Sequence, residues 1–545
     1  MTSRSLGHRA PLLWLVLPFI AGLVLAKVTG SPLVLAPLGL AFVTGGLALR
    51  LAPANPRGWV RALTLTGLLA GLASYPLHRV RLPIWDSLPP REARLALRVD
   101  RVFAPTDTRR AAGLATIVGT DPHLRELTGQ RVYFSLTLTD GAPPPIRSAV
   151  LATLGVLVTV PENPPLETFD GFLAGAGVNF RLTRGRVLGE ERAAPAHRRL
   201  YARLATFFSA VLGKGLEEKR PTLAGLLRAM MLGATRELSE EQHTLFMQSG
   251  TMHLFAISGL NIGVIAGALQ ALLLLLRLPA WPRFLIGTAL LWVFVETTGA
   301  SASAVRAFAM AVFLQAALVL RQPANVLAAL VLSAFAVLLV SPLQVFSASF
   351  LMSYAIVAAL LTLGLPWSDA WLARWSPWRD LPRPVWRPWQ RFVDAAWRAA
   401  VPALVVGLAT TPVSLLTGVQ YFQLLTPGAL LTNLLLIPGA IAVTLGGFAS
   451  LVCGIIGFDT GVLLCNHAAA LVLLLIEHLV RLSVEWPGAF VPARFVAGWI
   501  GPASLTALLV TLFAGYASGW VKRRGGWWPP FVVLGVTLLF GMDYL

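Results

Sequence analysis

Gly250-Thr251-Met252-His253-Leu254-Phe255-Ala256-Ile257-Ser258-Gly259-Leu260-Asn261-Ile262-Gly263 puts a His, a Ser, an Asn and three glycines at the head of an apolar run that continues to residue 276. A helix needs roughly 20 apolar residues to cross a bilayer core of about 30 Å, so 251–276 reads as a membrane span. Polar side chains are costly in hydrocarbon and normally face a bundle interior or a wet cavity. Gly259 and Gly263 have the spacing that lets two helices approach closely, or lets the chain unwind beside a pathway. His253, Ser258, Gly259, Asn261 and Gly263 are therefore candidate pathway residues.

Outward from this stretch, similar apolar runs recur. They lie at 11–28, 32–50 and 59–78, then at 283–298, 302–320, 324–340, 347–365, 399–418, 428–453, 459–481, 499–519 and 528–543. With 56% hydrophobic and 13% charged residues over 545 positions, the chain has too little polar surface for a soluble protein. The expected fold is a mainly α polytopic membrane protein of about thirteen spans. Leu12–Ala26, flanked by Arg4 and Arg9, has the make-up of a signal peptide, but a second span follows at once and it reads as a retained anchor.

After the first three spans (1–80), hydrophobicity collapses. Between Arg91 and Leu188 the pattern shortens to alternating runs such as Leu95–Val99, Arg131–Leu138 and Val150–Val160, broken by Gly, Pro and Asp. Residues 81–195 thus read as a small aqueous β-barrel or sandwich inserted between spans. Residues 196–250 read as partly amphipathic helices that lie on or dip into the membrane. A central helical region (251–490) and a C-terminal pair of spans (491–545) complete the order. One long connection, Trp367–Trp397, interleaves Trp and Arg with Pro, as suits segments at headgroup level. The other reading of that connection is a nucleic-acid platform, with Trp stacking on bases and Arg holding phosphates.

Lys and Arg number 44 against 25 Asp and Glu, and nearly all the cations are Arg. Basic loops hold the cytoplasmic side of multispanning proteins, which accounts for most of this excess. A cytoplasmic N-terminus places Arg50, Arg57 and Arg61, then Arg277 and Arg283, Arg321, the Trp/Arg connection and Lys522-Arg523-Arg524 all inside. The β-rich domain and the C-terminus then fall on the extracytoplasmic side of a bacterial inner membrane. Guanidinium groups also bind phosphate bidentately, so a polyanionic substrate can use the remainder of the charge.

The stretch from His253 to Gly263 is similar to a signature of the ComEC family of competence proteins, which runs His-Leu-Leu-Ala-Ile-Ser-Gly-Leu-His-Val-Gly. It departs at Asn261, where the family has a second His, so no imidazole stands there. Further resemblances follow in the same order: Gly299–Ala307 to a Ser-rich Arg-Ala segment, and Ser341-Pro342 with Ser349–Tyr354 to Asn-Pro and Phe-Gln-Leu-Ser-Phe elements, with Ser353 kept and Leu351 replacing Gln. Pro412 and Thr432-Asn433-Leu434 resemble the end of the competence region, and Asn163-Pro164 and Phe169–Gly177 resemble the end of the family's extracytoplasmic OB-like domain. The resemblance covers roughly residues 90–480, plus the flanking spans in outline. It implies a channel that passes one DNA strand through the inner membrane during natural transformation. The implied partners are single-stranded DNA, membrane lipid, a separate nuclease and a competence DNA receptor.

A phosphate chain needs a polar pathway with spaced cations. Arg306, alone within a span, is the leading candidate, and the alternative is that it anchors a helix end by snorkelling. Arg228 and Arg236 are candidates for an outer mouth. Ser353 and Asn433 add polar groups within apolar stretches, and Glu296 is expected to partner Arg306 rather than carry protons. His467, Glu477 and His478 share one side of a helix at three-turn spacing, which is weak as a metal site. Cys453 and Cys465 lack zinc-ligand neighbours. No metal and no cofactor is expected. The eight His include no His-x-His, so hydrolysis of DNA by this polypeptide is not expected. Two other readings are an intramembrane serine protease, built on Ser258 and His253, and a small-solute transporter. The first lacks Gly-x-Ser-Gly, and the second lacks matching halves.

Overall fold

The chain is described here by a computed structural model covering residues 10–51, 55–80, 82–86, 88–103, 109–138, 143–162, 164–255, 257–322, 325–375, 377–378, 381–520 and 527–544. The basic stretches Arg4/Arg9 and Lys522–Arg524, and Asn163 of the family-like Asn-Pro pair, lie outside these residues.

Three helices come first: α1 (Leu13–Thr29), α2 (Leu35–Leu51) and α3 (Pro56–His78). Helices α1 and α3 pack backbone against backbone. A Cβ on Gly67 would stand 2.3 Å from the Leu15 carbonyl oxygen, and one on Gly71 2.1 Å from that of Phe19, so only glycine fits.

The alternating segment folds as a closed barrel of five strands in the order β1-β2-β3-β5-β4: β1 (Arg91–Phe103), β2 (Arg110–Thr120), β3 (Arg131–Thr137), β4 (Val150–Thr159) and β5 (Phe180–Arg192). Only β3 and β5 pair in parallel. Period-two alternation turns Leu95, Leu97, Ile117, Val132, Phe134, Leu136 and Leu182 into the barrel. A short helix, α4 (Phe169–Gly175), precedes β5, and its N-cap Thr168 accepts the Gly171 N–H at 3.1 Å.

Helices then dominate: α5 (Ala196–Gly213), α6 (Pro221–Leu232), α7 (Glu240–Gln248), α8 (Gly259–Leu275), α9 (Ala280–Thr297), α10 (Ala302–Val319), α11 (Val326–Val340), α12 (Ala348–Ala359), α13 (Leu365–Arg374), α14 (Pro388–Phe422), α15 (Ala429–Ile455), α16 (Asp459–Val484), α17 (Ile500–Ser518) and α18 (Pro529–Phe540). The chain is mostly helical, and each predicted span overlaps a helix, 251–276 only in part. Among the described residues, eight helical stretches are long and apolar enough to cross a bilayer, as a multi-pass membrane protein requires.

Besides a core that joins α1 to α11 and α12 through Leu23, Leu330 and Phe350, two further helical cores form. The first joins α5–α9 to α15 and α16 through Leu212, Leu226, Ile262, Val295, Val443 and Leu473. The second joins α12–α14 to α17 and α18 through Ala359, Leu363, Val405, Val413 and Leu508. The barrel caps one end of the bundle. Tyr75, at the end of α3, meets Phe346 edge-on at 5.9 Å, and Arg147 reaches Glu296 at the end of α9. At the same end Leu424–Leu425, Val491–Phe495 and Met542–Tyr544 form a three-stranded antiparallel sheet. The connections bearing Arg57, Arg277, Arg321 and the Trp/Arg segment lie at the opposite end, one helix length away.

Three readings are sharpened. Residues 196–250, expected to lie on or dip into the membrane, pack against the helical bundle. Helix α5 runs the depth of the bundle, tied by Arg198 to Glu296 at its start and by Lys214 Nζ to Asp459 Oδ2 at 2.7 Å past its end. Buried Asn466 of α16 closes that end by donating to the Val211 and Lys214 carbonyls at 2.8 and 3.0 Å. Residues Leu223–Met231 of α6 are all buried. Secondly, the Trp/Arg connection is largely an extension of its neighbours. A π-turn at Leu360–Gly364 links α12 to α13 just before Pro366, whose missing N–H breaks the regular ladder, and the first turns of α14 contain Trp389 and Trp397. Thirdly, the predicted span 251–276 is interrupted. Met252–Leu254 form a 3₁₀ turn, and the α-helix begins only at Gly259.

Candidate functional site

That interruption exposes backbone groups at the head of α8. Ser258 is the N-cap, its Oγ accepting the Asn261 N–H at 3.4 Å. Asn261 is buried and donates from Nδ2 to the Met230 carbonyl at 3.2 Å, while its Oδ1 has no hydrogen-bond partner. His253 is exposed, and its Nδ1 donates to the Gly250 carbonyl at 3.1 Å. Among the described residues Ser258 and His253 share no hydrogen bond.

The glycine spacing does not serve close helix packing. Gly259, Gly263 and Gly267 are exposed on one side of α8. A Cβ at Gly263 or Gly267 would meet nothing within 4 Å, and one at Gly259 only the Ala307 Cβ at 3.9 Å. The result is a smooth strip of helix surface beside α10.

Arg306 stands on that neighbouring helix, which Ser301 caps by accepting the Ala304 N–H at 3.3 Å. It is 1% exposed. Its Nη2 donates to the carbonyl and the Oγ of Ser349 at 2.7 and 2.8 Å, bridging α10 to the head of α12. The guanidinium carbon lies 5.8 Å from the ring centre of Tyr354, whose hydroxyl is 3.2 Å from that of Ser333. Among the described residues Nε and Nη1 have no hydrogen-bond partner. No carboxylate of the described residues pairs with Arg306.

Glu296 is not its counter-ion, contrary to expectation. Buried at the end of α9, it pairs with Arg198 of α5 and, at 3.3 Å, with Arg147 of the barrel. The carboxylate staples barrel to bundle and is spent there. Ser353 lies one turn beyond Ser349 on α12, half-buried and without a side-chain hydrogen bond. Asn433, in the first turns of α15, is half-buried with an unpartnered Oδ1.

Arg228 is a different kind of residue. It is 9% exposed and donates to the Ser209 carbonyl at 2.9 Å, to Glu237 Oε2 at 3.1 Å and to Glu217 Oε2 at 2.5 Å. Two carboxylates thus balance one guanidinium, and a Cβ on Gly213 would fall 2.0 Å from its Nη2. The same hydrogen bond and charge hold the Glu217 carboxyl below the usual carboxylate range. Arg228 clasps α5, α6 and the turn before α7, which is not the geometry of a free phosphate guide. Arg236 is exposed and free of hydrogen bonds and ion pairs among the described residues.

The structure thus brings Arg306 to Ser349, sets the glycine strip of α8 beside α10, and leaves Arg228 and Arg236 on the α5–α7 corner. Sequence reasoning missed Ser349 as Arg306's partner, and the Gln270 Nε2 to Gln315 Oε1 bond at 3.0 Å between α8 and α10. A lone Gln within each apolar run was the available signal. His467 donates to the Leu463 carbonyl of its own helix and Glu477 pairs with Arg481, so these residues do not converge with His478. Among the described residues no three His, Cys, Asp or Glu side chains group as metal ligands.

A sequence model of a family described as Competence protein matches residues 230–518. The chain is also similar to ComE operon protein 3 of Bacillus subtilis (strain 168), 28% identical over 141 residues. That match covers 26% of this chain and 18% of the relative. No solved structure matches the chain.

Proposed function

The chain belongs to the competence protein family, and from that membership we propose that it conducts a single strand of DNA across the bacterial inner membrane. The observation that carries the reading is Arg306. A guanidinium enclosed among apolar helices normally acquires a carboxylate, because an unbalanced buried charge is costly. Among the described residues this one has only the neutral oxygens of Ser349 and the ring of Tyr354. A passing phosphate makes a stronger, charge-assisted bond to the same donors, so the backbone of a nucleic acid can take over where Ser349 lets go. Arg306 is enclosed in the conformation described, so passage requires the seam between α10 and α12 to part. The glycine strip of α8 offers a side-chain-free wall beside α10, and Ser353 supplies a polar group one turn beyond Ser349 on α12.

The finer architecture follows the same reading. About thirteen helices span the membrane. The strand order of the barrel supports an OB-like domain. Because the basic connections gather at the end away from the barrel, the positive-inside rule puts the N-terminus in the cytoplasm and the barrel and C-terminus outside. The polypeptide translocates DNA without hydrolysing it. A separate nuclease removes the second strand, and a DNA receptor delivers the duplex. Deleting the gene in a transformable host and following labelled DNA tests the reading: surface binding is expected to persist while cytoplasmic entry stops, and normal entry refutes it.

A further inference from the structure

Two cations meet where the first helices end beneath the rim of the barrel. Lys27 stands in the last turn of α1, and Arg79 directly follows α3. Helices α1 and α3 run in the same direction, Leu15 beside Gly67 and Phe19 beside Gly71, and the same register carried onward brings Lys27 level with Arg79. Lys27 Nζ lies 4.4 Å from the ring centre of Phe346, in the turn between α11 and α12, and Arg79 is close enough for its charge to act on Lys27. Arg79 is 8% exposed. Its Nη2 donates to the Glu162 carbonyl of the barrel at 3.2 Å, and its Nε has no hydrogen-bond partner among the described residues. Arg131 adds a third positive charge close by: a Cβ on Gly177 would stand 3.9 Å from its Nη1 and 4.0 Å from the carbonyl oxygen of His78, the residue before Arg79.

Ordinary packing accounts for one of these charges but not for the set. A lysine in the last turn of a helix complements the helix dipole and can snorkel toward water. Arg79 is buried instead, and like charges brought together in a partly dry place repel while each loses hydration. No carboxylate of the described residues pairs with Lys27, Arg79 or Arg131; Glu162 and Ala176 offer only neutral backbone oxygens. What the set lacks is an anion. The class of that anion follows from where the cations sit. They stand at the ends of two apolar helices, where hydrocarbon gives way to headgroups, and Val28, Leu77 and Val80 around them are exposed. Cations bordered by exposed apolar side chains suit a molecule that carries both a phosphate and acyl chains.

We infer that Lys27 and Arg79, with Arg131 at the edge, hold the phosphate of an anionic glycerophospholipid whose acyl chains lie along α1 and α3. The phosphate accepts charge-assisted hydrogen bonds from Lys27 Nζ and from the free Nε of Arg79. Nη2 stays on the Glu162 carbonyl, so one guanidinium joins lipid, helix and barrel, and the headgroup braces the barrel against the membrane. The site requires nothing of the strand pathway, since Arg306 and the seam between α10 and α12 take no part in it.

The test titrates the full chain in detergent with phosphatidylglycerol, or with phosphatidylcholine, whose choline cancels the phosphate charge, and counts bound lipid by native mass spectrometry. The parent protein is expected to bind phosphatidylglycerol roughly tenfold more tightly than phosphatidylcholine. Lys27→Gln/Arg79→Gln is expected to bind phosphatidylglycerol roughly tenfold more weakly than the parent, with phosphatidylcholine unchanged. Lys27→Gln alone leaves Arg79 on the Glu162 carbonyl and is expected to weaken binding roughly fivefold, which keeps the test open if the double variant does not fold. Equal affinity of the parent for the two lipids, or equal affinity of the parent and either variant for phosphatidylglycerol, overturns the site. Inorganic phosphate and oligo-dT are added as competitors, and the lipid is expected to stay bound in both. Full displacement by millimolar phosphate assigns the cations to a free anion, full displacement by oligo-dT assigns them to a nucleic-acid backbone, and each overturns the lipid.

Discussion

Arg228 and Arg306 are both buried guanidinium groups on apolar helices, and their surroundings are opposite. At the α5–α7 corner, Arg228 has two carboxylates and a backbone carbonyl. At the α10–α12 seam, Arg306 has one serine and two unpartnered nitrogens. The first arrangement closes a structure, because each charge is balanced and breaking the set strands a charge. The second leaves positive potential in a low-dielectric place with only neutral groups, Ser349 and the Tyr354 ring, beside it, which is what a transient anion needs. Burial alone does not distinguish a clasp from a way-station; the partner does.

The largest effect that sharpens this contrast is on uptake. Arg306→Ala is expected to lower entry of labelled DNA roughly a hundredfold while membrane insertion is unchanged, in line with the ~3 kcal/mol upper range for a hydrogen bond to a charged group. Wild-type entry in that variant would remove Arg306 from the path. Making the two sites alike is the next test. Ser349→Asp gives Arg306 the carboxylate that Arg228 already has, and the expected outcome is a protein that melts no lower than the parent but takes up DNA about tenfold more slowly, because the phosphate must now displace an anion. Unchanged uptake there would break the comparison.

At the other site the readout is stability. Arg228→Ala is expected to destabilise the detergent-solubilised protein by about 2–3 kcal/mol, below the ~3–5 of a fully buried pair because Glu217 is 60% exposed. Combining it with Glu217→Gln and Glu237→Gln should restore part of the loss by removing the stranded charges, and thermal melts of the single and triple variants decide this. The smallest effect is on pH dependence. The lowered pKa of Glu217 contributes stability that is fully present above the unfolded carboxyl value of about 4.3 and is lost as pH falls through the folded value. Glu217→Gln should therefore melt lower than the parent near neutral pH, with the gap closing in acid.

Much of the architecture was legible in the sequence, for a physical reason. Lipid accepts only backbone that satisfies itself, so long apolar runs must be helices, and period-two alternation between them must be strands with one buried side. Those rules act locally, and they placed the helices, the barrel and the basic ends of the bundle without any knowledge of contacts. The signature from His253 to Gly263 also identified the family, because a string of that length carries its own evidence.

Pairing between distant residues was not legible. Glu296 and Arg306 lie ten residues apart and looked like natural partners, yet Glu296 turns to Arg147 and Arg198 from elements far away in the chain. Arg228 read as a candidate for an outer mouth until folding brought Glu217 and Glu237 to it. Helices 196–250 looked amphipathic enough to lie on or dip into the membrane, and the cap from Asn466 and the salt bridge to Asp459 show which helix the end of α5 packs against. Hydrophobicity is a sum over neighbouring residues and can be read along the chain. A counter-ion is a matter of a few ångströms between elements, which the three-dimensional packing alone decides.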